Sequence, residues 1–350
     1  MVQKTIYEGK LKSLLENGPV SISFNLVDFR NNLFTSNNPD DIIEFYNTFK
    51  DRDSLIKWMR ERPKGVSYIH EVEGRKDIIV VIPTADFNGK YAKTCREEIF
   101  KGLHMVFVES GVGNFYFNYA HNCNIGIKKA LEYDPKWIIV SNDDMYKVDD
   151  VSVLIKQLEN INNKDFDVIF IKPGFTHSRI SAVGSFTLSS WMLFFIFSNL
   201  LNHKFWRVFP LSFQVYKINK RLLGKKFFSD VALPDSKINS HNKILYYIYL
   251  RLTRLLFKYN TIGDFGIFSS IFIKNNMPLF DENYINGVED VDLQTQIKLK
   301  KLKYKNISWE IGDYISVTFG KNITRTLRDI SNLIYYNYKF QNNLFDVTRQ

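Results

Sequence analysis

Three short apolar runs, each separated from the next by a stretch of helical character, constrain this chain more than any other feature. The first, Asp77-Ile78-Ile79-Val80-Val81-Ile82-Pro83-Thr84, is a β-branched run stopped by proline, the pattern of a strand covered on both faces in a parallel sheet. Met105-Val106-Phe107-Val108-Glu109 and Lys136-Trp137-Ile138-Ile139-Val140 repeat it. A polar helical stretch precedes the second run, and a helix is expected around Asn118 to Tyr133 before the third. Beyond them, Val151 to Asn160 reads as another helix and Phe166 to Ile171 as another strand. Strand and helix alternating in this way imply right-handed crossovers and a doubly wound α/β sheet.

The flanks carry less pattern. Residues 1–76 form a polar N-terminal extension in which one helix is expected from Pro39 through Arg60, stopped at Pro63-Lys64-Gly65. The organised α/β region spans 77–320, interrupted by an insertion over about 177–260, and a helical tail follows over 321–350. From Ile180 to Asn202 there are no charged residues, yet serine, threonine, glycine and asparagine dilute the apolar stretch. It reads as an interfacial segment, a buried helix or a membrane span of about 20 residues. A single crossing there would put Asp144 and Asp290 on opposite sides of a membrane, where they could not share a site, which favours the first two readings. In the segment from Lys243 to Lys258, Arg251, Arg254 and Lys258 share one helical face, with tyrosine, leucine and isoleucine over the rest, a pattern suited to anionic headgroups or to a solvated face of a domain helix.

Charge narrows the partners without choosing among them. A net charge of +10 suits nucleic acid, an acidic membrane surface or a phosphorylated substrate. No nucleic-acid module pattern occurs, so nucleic acid is not expected. Cys95 and Cys123 have neither metal-type spacing nor a disulfide framework. The segment Met1 to Lys12 has no apolar core of a secretory signal. A cytoplasmic protein held peripherally at an anionic membrane is the expectation.

The chemistry lies in two acidic clusters. Ser141-Asn142-Asp143-Asp144-Met145 follows the third apolar run and so delivers hard oxygen ligands at the carboxyl end of a strand, a good place for a divalent cation. Gly287-Val288-Glu289-Asp290-Val291-Asp292-Leu293 opens a polar helical pattern, with its carboxylates at a helix N-terminus, where negative charge is favoured. One cluster can hold a metal while the other handles a proton.

Taken in order, Val81-Ile82-Pro83-Thr84, Phe107-Val108-Glu109-Ser110, Asn124-Ile125-Gly126, Asn142-Asp143-Asp144, Phe280-Asp281-Glu282 and Glu289-Asp290-Val291-Asp292-Leu293 resemble the motifs of family 2 glycosyltransferases of the GT-A fold. The resemblance covers roughly Asp77 to Tyr304, apart from the insertion. It implies a GT-A type doubly wound mixed sheet, Rossmann-like, carrying a helical aromatic and basic insertion. It further implies transfer of a sugar from a nucleotide diphosphate sugar, a UDP-sugar by preference, to an acceptor hydroxyl with inversion, the acceptor being a glycan, a lipid-linked sugar or a protein. By the same resemblance Pro83, Thr84, Glu109, Asn124 and Asp143 lie against the nucleotide, with Glu109 accepting the imide N–H of the base. Asp144, with Asn142 in place of the usual first acid, holds Mn²⁺ or Mg²⁺. Asp290 is the general base with Glu289 beside it, and Asp264 and Asp292 contact the acceptor. The chain departs from the pattern at Trp309 to Val317, where many relatives place a histidine and this sequence has none.

Two other readings stay open on sequence alone. A non-catalytic protein on the same scaffold could use its basic aromatic surface for lipid or nucleic acid, but would not need Asp144 and Asp290 together. A nucleotidyltransferase also uses a metal and a nucleotide, yet the chain lacks a glycine-rich loop of the Walker type after its first strand.

Overall fold

The computed structural model describes residues 19–171, 264–314 and 323–340. The segments 180–202 and 243–258, whose membrane role was weighed from sequence, lie outside the described residues. So does the whole of the insertion over 177–260.

The described residues open with three helices, α1 (Pro19–Thr35), α2 (Pro39–Asn47) and α3 (Arg52–Glu61). The single helix expected from Pro39 to Arg60 is therefore two. The break is written in capping chemistry: the Asp51 carboxylate accepts from the Ser54 backbone N–H at 2.8 Å while the Ser54 hydroxyl accepts from the Asp51 N–H at 3.2 Å. This reciprocal capping satisfies two orphan donors and starts a new helix. Asn38 caps α2 more simply, its side chain accepting from the Asp40 N–H at 3.1 Å, with Pro39 at the first helical position.

A mixed seven-stranded sheet follows. Its strands are β1 (Tyr68–Val72), β2 (Arg75–Thr84), β3 (Leu103–Glu109), β4 (Trp137–Ser141), β6 (Val168–Phe170), β7 (Phe265–Ser269) and β8 (Tyr304–Asn306), with a separate two-stranded ribbon of β5 (Met145–Lys147) and β9 (Ile311–Asp313). The order across the sheet is β1-β3-β2-β4-β7-β6-β8. β2 runs parallel to both β3 and β4, while β1 and β7 run antiparallel to their neighbours. β1 belongs to the stretch read as extension, yet it pairs with β3 from Met105 to Glu109, so the sheet begins before residue 77.

The continuous apolar runs are explained by cover on both faces. Ile78, Val80 and Ile82 face one layer with α4 (Lys90–Thr94), the π-helical turn Cys95–Ile99 that continues it, and α6 (Val151–Glu159). Their alternates Ile79 and Val81 face the other, with α5 (Tyr119–Leu131), α7 (Ser270–Asn275) and α8 (Glu289–Leu299). The period of two along β2 thus divides one strand between two cores.

A third apolar cluster sits away from the sheet. Here α9 (Ile323–Phe340) packs Leu327, Ile330, Ile334 and Tyr336 against Phe45, Trp58 and Met59 of α2 and α3. Each such fully buried side chain contributes roughly 1.5–3 kcal/mol. The Tyr46 hydroxyl seals the junction, donating to the Leu327 carbonyl and accepting from the Ser331 N–H at 3.0 Å. Helices α2, α3 and α9, from stretches that look like separate additions in the sequence, form one helical unit. It also packs Tyr284, Ile285 and Val288, the loop that leads into α8.

Candidate functional site

The strand order reverses between β2 and β4: β3 lies on one side of β2 and β4 on the other. Open α/β sheets bind ligands in the crevice outside the carboxyl ends at such a switch point. Register makes that edge common to three strands, since Thr84 at the end of β2 pairs with Glu109 at the end of β3, and Val81 pairs with Val140 near the end of β4. A cleft of about 360 Å³ opens there, with Pro83, Thr84, Asn142, Asp143, Asp144 and Asp264 in its wall. The antiparallel direction of β7 explains Asp264: Phe265 pairs with Ser141, so the residue before β7 arrives where β4 ends.

The Asn142-Asp143-Asp144 cluster is held from several sides. The Thr84 hydroxyl donates to Asp143 Oδ2 at 2.6 Å, and the Cys95 thiol, on the π-helical turn, donates to the Asp143 carbonyl at 3.3 Å. Asn142 joins β7 twice, its backbone N–H donating to the Asp264 carbonyl and its side-chain amide to Asp264 Oδ1, both at 2.8 Å. The Asp144 carbonyl accepts from the Tyr314 N–H at 3.0 Å, and its side chain is buried. Burial pushes the Asp143 carboxyl above its usual range against the opposing pull of the Thr84 hydroxyl. It pushes the Cys95 thiol far up, and the negative charges of Asp143 and Asp144 add to that.

The donor set fits a divalent cation. Asp143, Asp144, Asp264 and Asp313 all line the cleft, against one guanidinium, Arg325. Asn142 Oδ1 is buried without a hydrogen-bond partner among the described residues. A hard cation with oxygen ligands offsets both the excess of carboxylates and that orphaned acceptor. Among the described residues no group of three or more histidine, cysteine, aspartate or glutamate side chains is placed to hold a metal ion. Mg²⁺ held by one or two carboxylates plus substrate phosphates needs no such group.

Several expected contacts lie elsewhere. Glu109 does not line the cleft; its carboxylate bonds to His70 Nε2 at 2.6 Å across the β1–β3 pair. Asn124 is buried on α5, where its amide donates to the Phe280 carbonyl at 2.8 Å and to Glu282 Oε1 at 2.9 Å and accepts from the Phe280 N–H. Both amide donors and one acceptor site of Asn124 are spent fastening the 280–282 loop to α5. Asp292, expected at the acceptor, is buried and accepts from the Tyr284 hydroxyl at 2.8 Å, the Lys339 ammonium at 2.7 Å and the Gln296 amide. It ties α8 to α9.

Glu289 and Asp290 open α8 as expected, but not in the wall of this cleft. The backbone ahead of them is strained: Asn286 and Val288 have φ of 52° and 74°. A β-branched residue in that region costs on the order of 1–3 kcal/mol, a kind of strain that clusters at functional sites. Gly287 between them has no room for a side chain, since a Cβ there would stand 2.6 Å from Asp329 Oδ1. Burial, reinforced by the Asp290 charge, pushes Glu289 up to about 8, and Glu289 Oε2 has no hydrogen-bond partner among the described residues. The Glu289 charge in turn helps raise Tyr119, a residue of the cleft wall.

Sequence reasoning missed four elements of the wall. Ser110-Gly111-Val112-Gly113-Asn114 turns away from β3 with positive φ at both glycines, 78° and 72°, and its Ser110, Gly111, Gly113 and Asn114 line the cleft. Two glycines flanking one residue directly after a strand signal such a turn. Tyr119 comes from the first turn of α5, and Arg325 from the first turn of α9, which no motif marked. Asp313 arrives on β9, paired with Met145 beside Asp144, and supplies a carboxylate in the stretch where the expected pattern has a histidine.

Among the described residues no helix is long and apolar enough to cross a membrane. No protein-family model matches the chain, and no curated protein sequence matches it either.

Proposed function

We propose that the chain is a metal-assisted, inverting glycosyltransferase of the GT-A, family 2 type, with the nucleotide diphosphate of its sugar donor in the switch-point cleft. The observation that carries this reading is the charge of that cleft. Four carboxylates in the wall of the cleft repel a diphosphate unless a divalent cation enters with it, so the wall selects for a metal–diphosphate pair over either partner alone.

In this reading Asp144 and Asp143 hold Mn²⁺ or Mg²⁺, with Asn142 Oδ1 as a neutral oxygen at the rim. The metal supplies charge neutralisation for the departing diphosphate. Pro83 and Thr84 form the floor beneath the nucleotide, and Thr84 keeps Asp143 aimed by its hydrogen bond. With Glu109 engaged by His70, the 110–114 turn is the wall left to meet the base. UDP-sugar remains the preferred donor on the grounds of the resemblance.

Asp290 is the proton acceptor. The acceptor hydroxyl gives its proton to the Asp290 carboxylate while its oxygen bonds to the anomeric carbon, and the carbon–oxygen bond to the diphosphate breaks with its electron pair leaving on the nucleotide. One displacement inverts the anomeric configuration. Burial, with the Asp290 charge adding to it, raises Glu289 to about 8, so Glu289 holds its proton at neutral pH and the base is assigned to Asp290 beside it. The Asp290 carboxylate is half-buried at the start of α8.

The test is nucleotide release from a panel of UDP-, GDP- and dTDP-sugars with Mn²⁺, Mg²⁺ or EDTA, comparing wild type with Asp144→Ala. Metal-dependent release of one nucleoside diphosphate, lost by about 100-fold or more in the variant, is expected, since one transition-state charge contact is worth several kcal/mol. Release that survives both EDTA and the substitution would overturn the assignment. An absence of turnover and of nucleotide binding across the panel would favour a non-catalytic scaffold.

A further inference from the structure

A second cavity, of about 350 Å³, adjoins the switch-point cleft and shares Gly113, Asn114, Phe117 and Arg325 with it. It lies between the carboxyl end of α1, the start of α9 and the loop from 113 to 117. None of these elements belongs to the sheet. We infer that this cavity is an oxyanion-binding subsite, built by Arg62, Arg325 and Arg328 against the rings of Phe34 and Phe117, which receives a carboxylate or phosphate carried by the acceptor. The acceptor role rests on the glycosyltransferase reading; the binding of an oxyanion does not.

The charge arithmetic comes first. Three guanidiniums line the cavity, and Asp329 is its one lining carboxylate. Arg62 is almost fully buried, and its partners among the described residues are neutral: Nε donates to Asn31 Oδ1 at 2.7 Å and Nη2 to the Phe115 carbonyl at 3.2 Å. Nη1 reaches the Tyr116 and Phe117 carbonyls only at 3.5 and 3.4 Å, the long limit for such bonds, so donor capacity remains for a ligand. A buried guanidinium without a counter-charge is costly, and burial brings Arg62 down to about 10. An arriving anion offsets that cost. Arg328 is fixed by the carbonyls ending α1, donating to Phe34, Thr35 and Ser36 at 2.8, 3.0 and 2.7 Å.

The one opposing carboxylate is itself poised to yield. Burial raises Asp329 to about 7, with the Asp290 charge adding to it and Arg325 and Arg328 opposing it. Near neutral pH it takes up a proton readily, which leaves the arginines in excess. Planar guanidinium forks match carboxylate and phosphate alike, and the flanking aromatic rings favour an oxyanion on an organic body over a bare ion. Arg325 lies in both walls, and Asp329 lies between this cavity and the Asp290 turn, so a ligand anchored here by its charge has its remainder directed toward the proposed site of transfer.

The experiment is calorimetric titration of the full chain with phenyl phosphate, benzoate and phenol, repeated with UDP and Mn²⁺ at saturation. Wild type is expected to bind phenyl phosphate or benzoate at least tenfold more tightly than phenol, and the stronger of the two names the oxyanion. Thr35→Phe, which blocks the mouth while removing no charge, should weaken that binding tenfold or more and leave UDP–Mn²⁺ binding unchanged. Arg325→Met should weaken it as well. Equal affinity for phenol and the anions, no loss in Thr35→Phe, or full competition by UDP–Mn²⁺ would each overturn the subsite. Anion binding that persists where UDP does not bind at all would support the subsite and sink the nucleotide reading instead.

Discussion

Gly126→Ala is the substitution whose cost can be worked most directly from distances. A Cβ at this position of α5 would stand 2.4 Å from Val81 Cγ1 and 2.8 Å from Val108 Cγ2. Carbon atoms settle at about 3.5–4.0 Å, so one added methyl violates two contacts, the worse by more than an ångström. Both valines are fully buried on the central strands β2 and β3, with no space into which to turn. Overpacking of this kind costs about 1–3 kcal/mol, and two simultaneous clashes put the cost near the top of that range. Alanine returns about 1 kcal/mol of helix propensity. The net is a loss of about 2 kcal/mol, which lowers the urea midpoint by roughly 1 M at a slope of about 2 kcal/mol/M. Urea unfolding followed by tryptophan fluorescence reads it, since Trp137 lies in the same sheet. The double variant with Val81→Ala should lose less than the sum of the two singles, by about 0.5–3 kcal/mol. A midpoint equal to or above wild type in Gly126→Ala would refute the packing argument.

Two further outcomes follow from the carboxylates that open α8. Glu289 is held well above its ordinary pKa, so the unfolded chain gives up this proton at lower pH than the folded one, and stability attributable to the group falls as pH rises from the usual carboxylate range to about 8. Glu289→Gln should therefore flatten the melting temperature between pH 5 and pH 8.5 (on the order of the usual carboxylate range to just above that value) and be the more stable form at the alkaline end; parallel profiles for the two proteins would contradict the burial argument. Asp292→Asn takes away one of the two carboxylates that meet the Lys339 ammonium, the other being Asp281 at 2.6 Å. Removing one partner of a buried ion pair costs about 3–5 kcal/mol, and the partly exposed Lys339 should bring the loss in thermal or urea unfolding toward about 3 kcal/mol. Unchanged stability with an altered acceptor KM would restore Asp292 to the acceptor.

The sheet was legible in the sequence because its strands are covered on both faces. Continuous β-branched runs such as Ile78 to Ile82 have few other stable uses, and the run from Trp137 to Ser141 carries its acidic cluster to the carboxyl edge wherever the sheet is doubly wound. The caps were equally local: Asn118 accepts from the His121 N–H at 2.9 Å at the start of α5. Asp51 was local too, but its signal was overridden in the reading by apolar residues that keep helical spacing across the break. Side-chain partnership was not legible. Glu109 and Asn124 have the residue types a nucleotide site needs, yet whether their polar atoms face a ligand or a neighbouring element depends on β1 and on the 280–282 loop, which lie 39 and about 157 residues away in the chain.

By itself the sequence determined the strands β2, β3, β4 and β6, most helix positions and the placing of Asn142, Asp143 and Asp144 at a strand's carboxyl end, because those features depend on neighbours within a few residues. The tertiary structure alone decided that Thr84 aims Asp143, that antiparallel β7 returns Asp264 to Asn142, and that β9 brings Asp313. It also decided that α2 and α3 join α9 and so carry Arg62, Arg325 and Arg328 to one cavity beside the cleft. Charges from residues more than 250 positions apart meet there because apolar side chains far from any motif, Phe45, Trp58, Leu327 and Ile334 among them, had to leave water together.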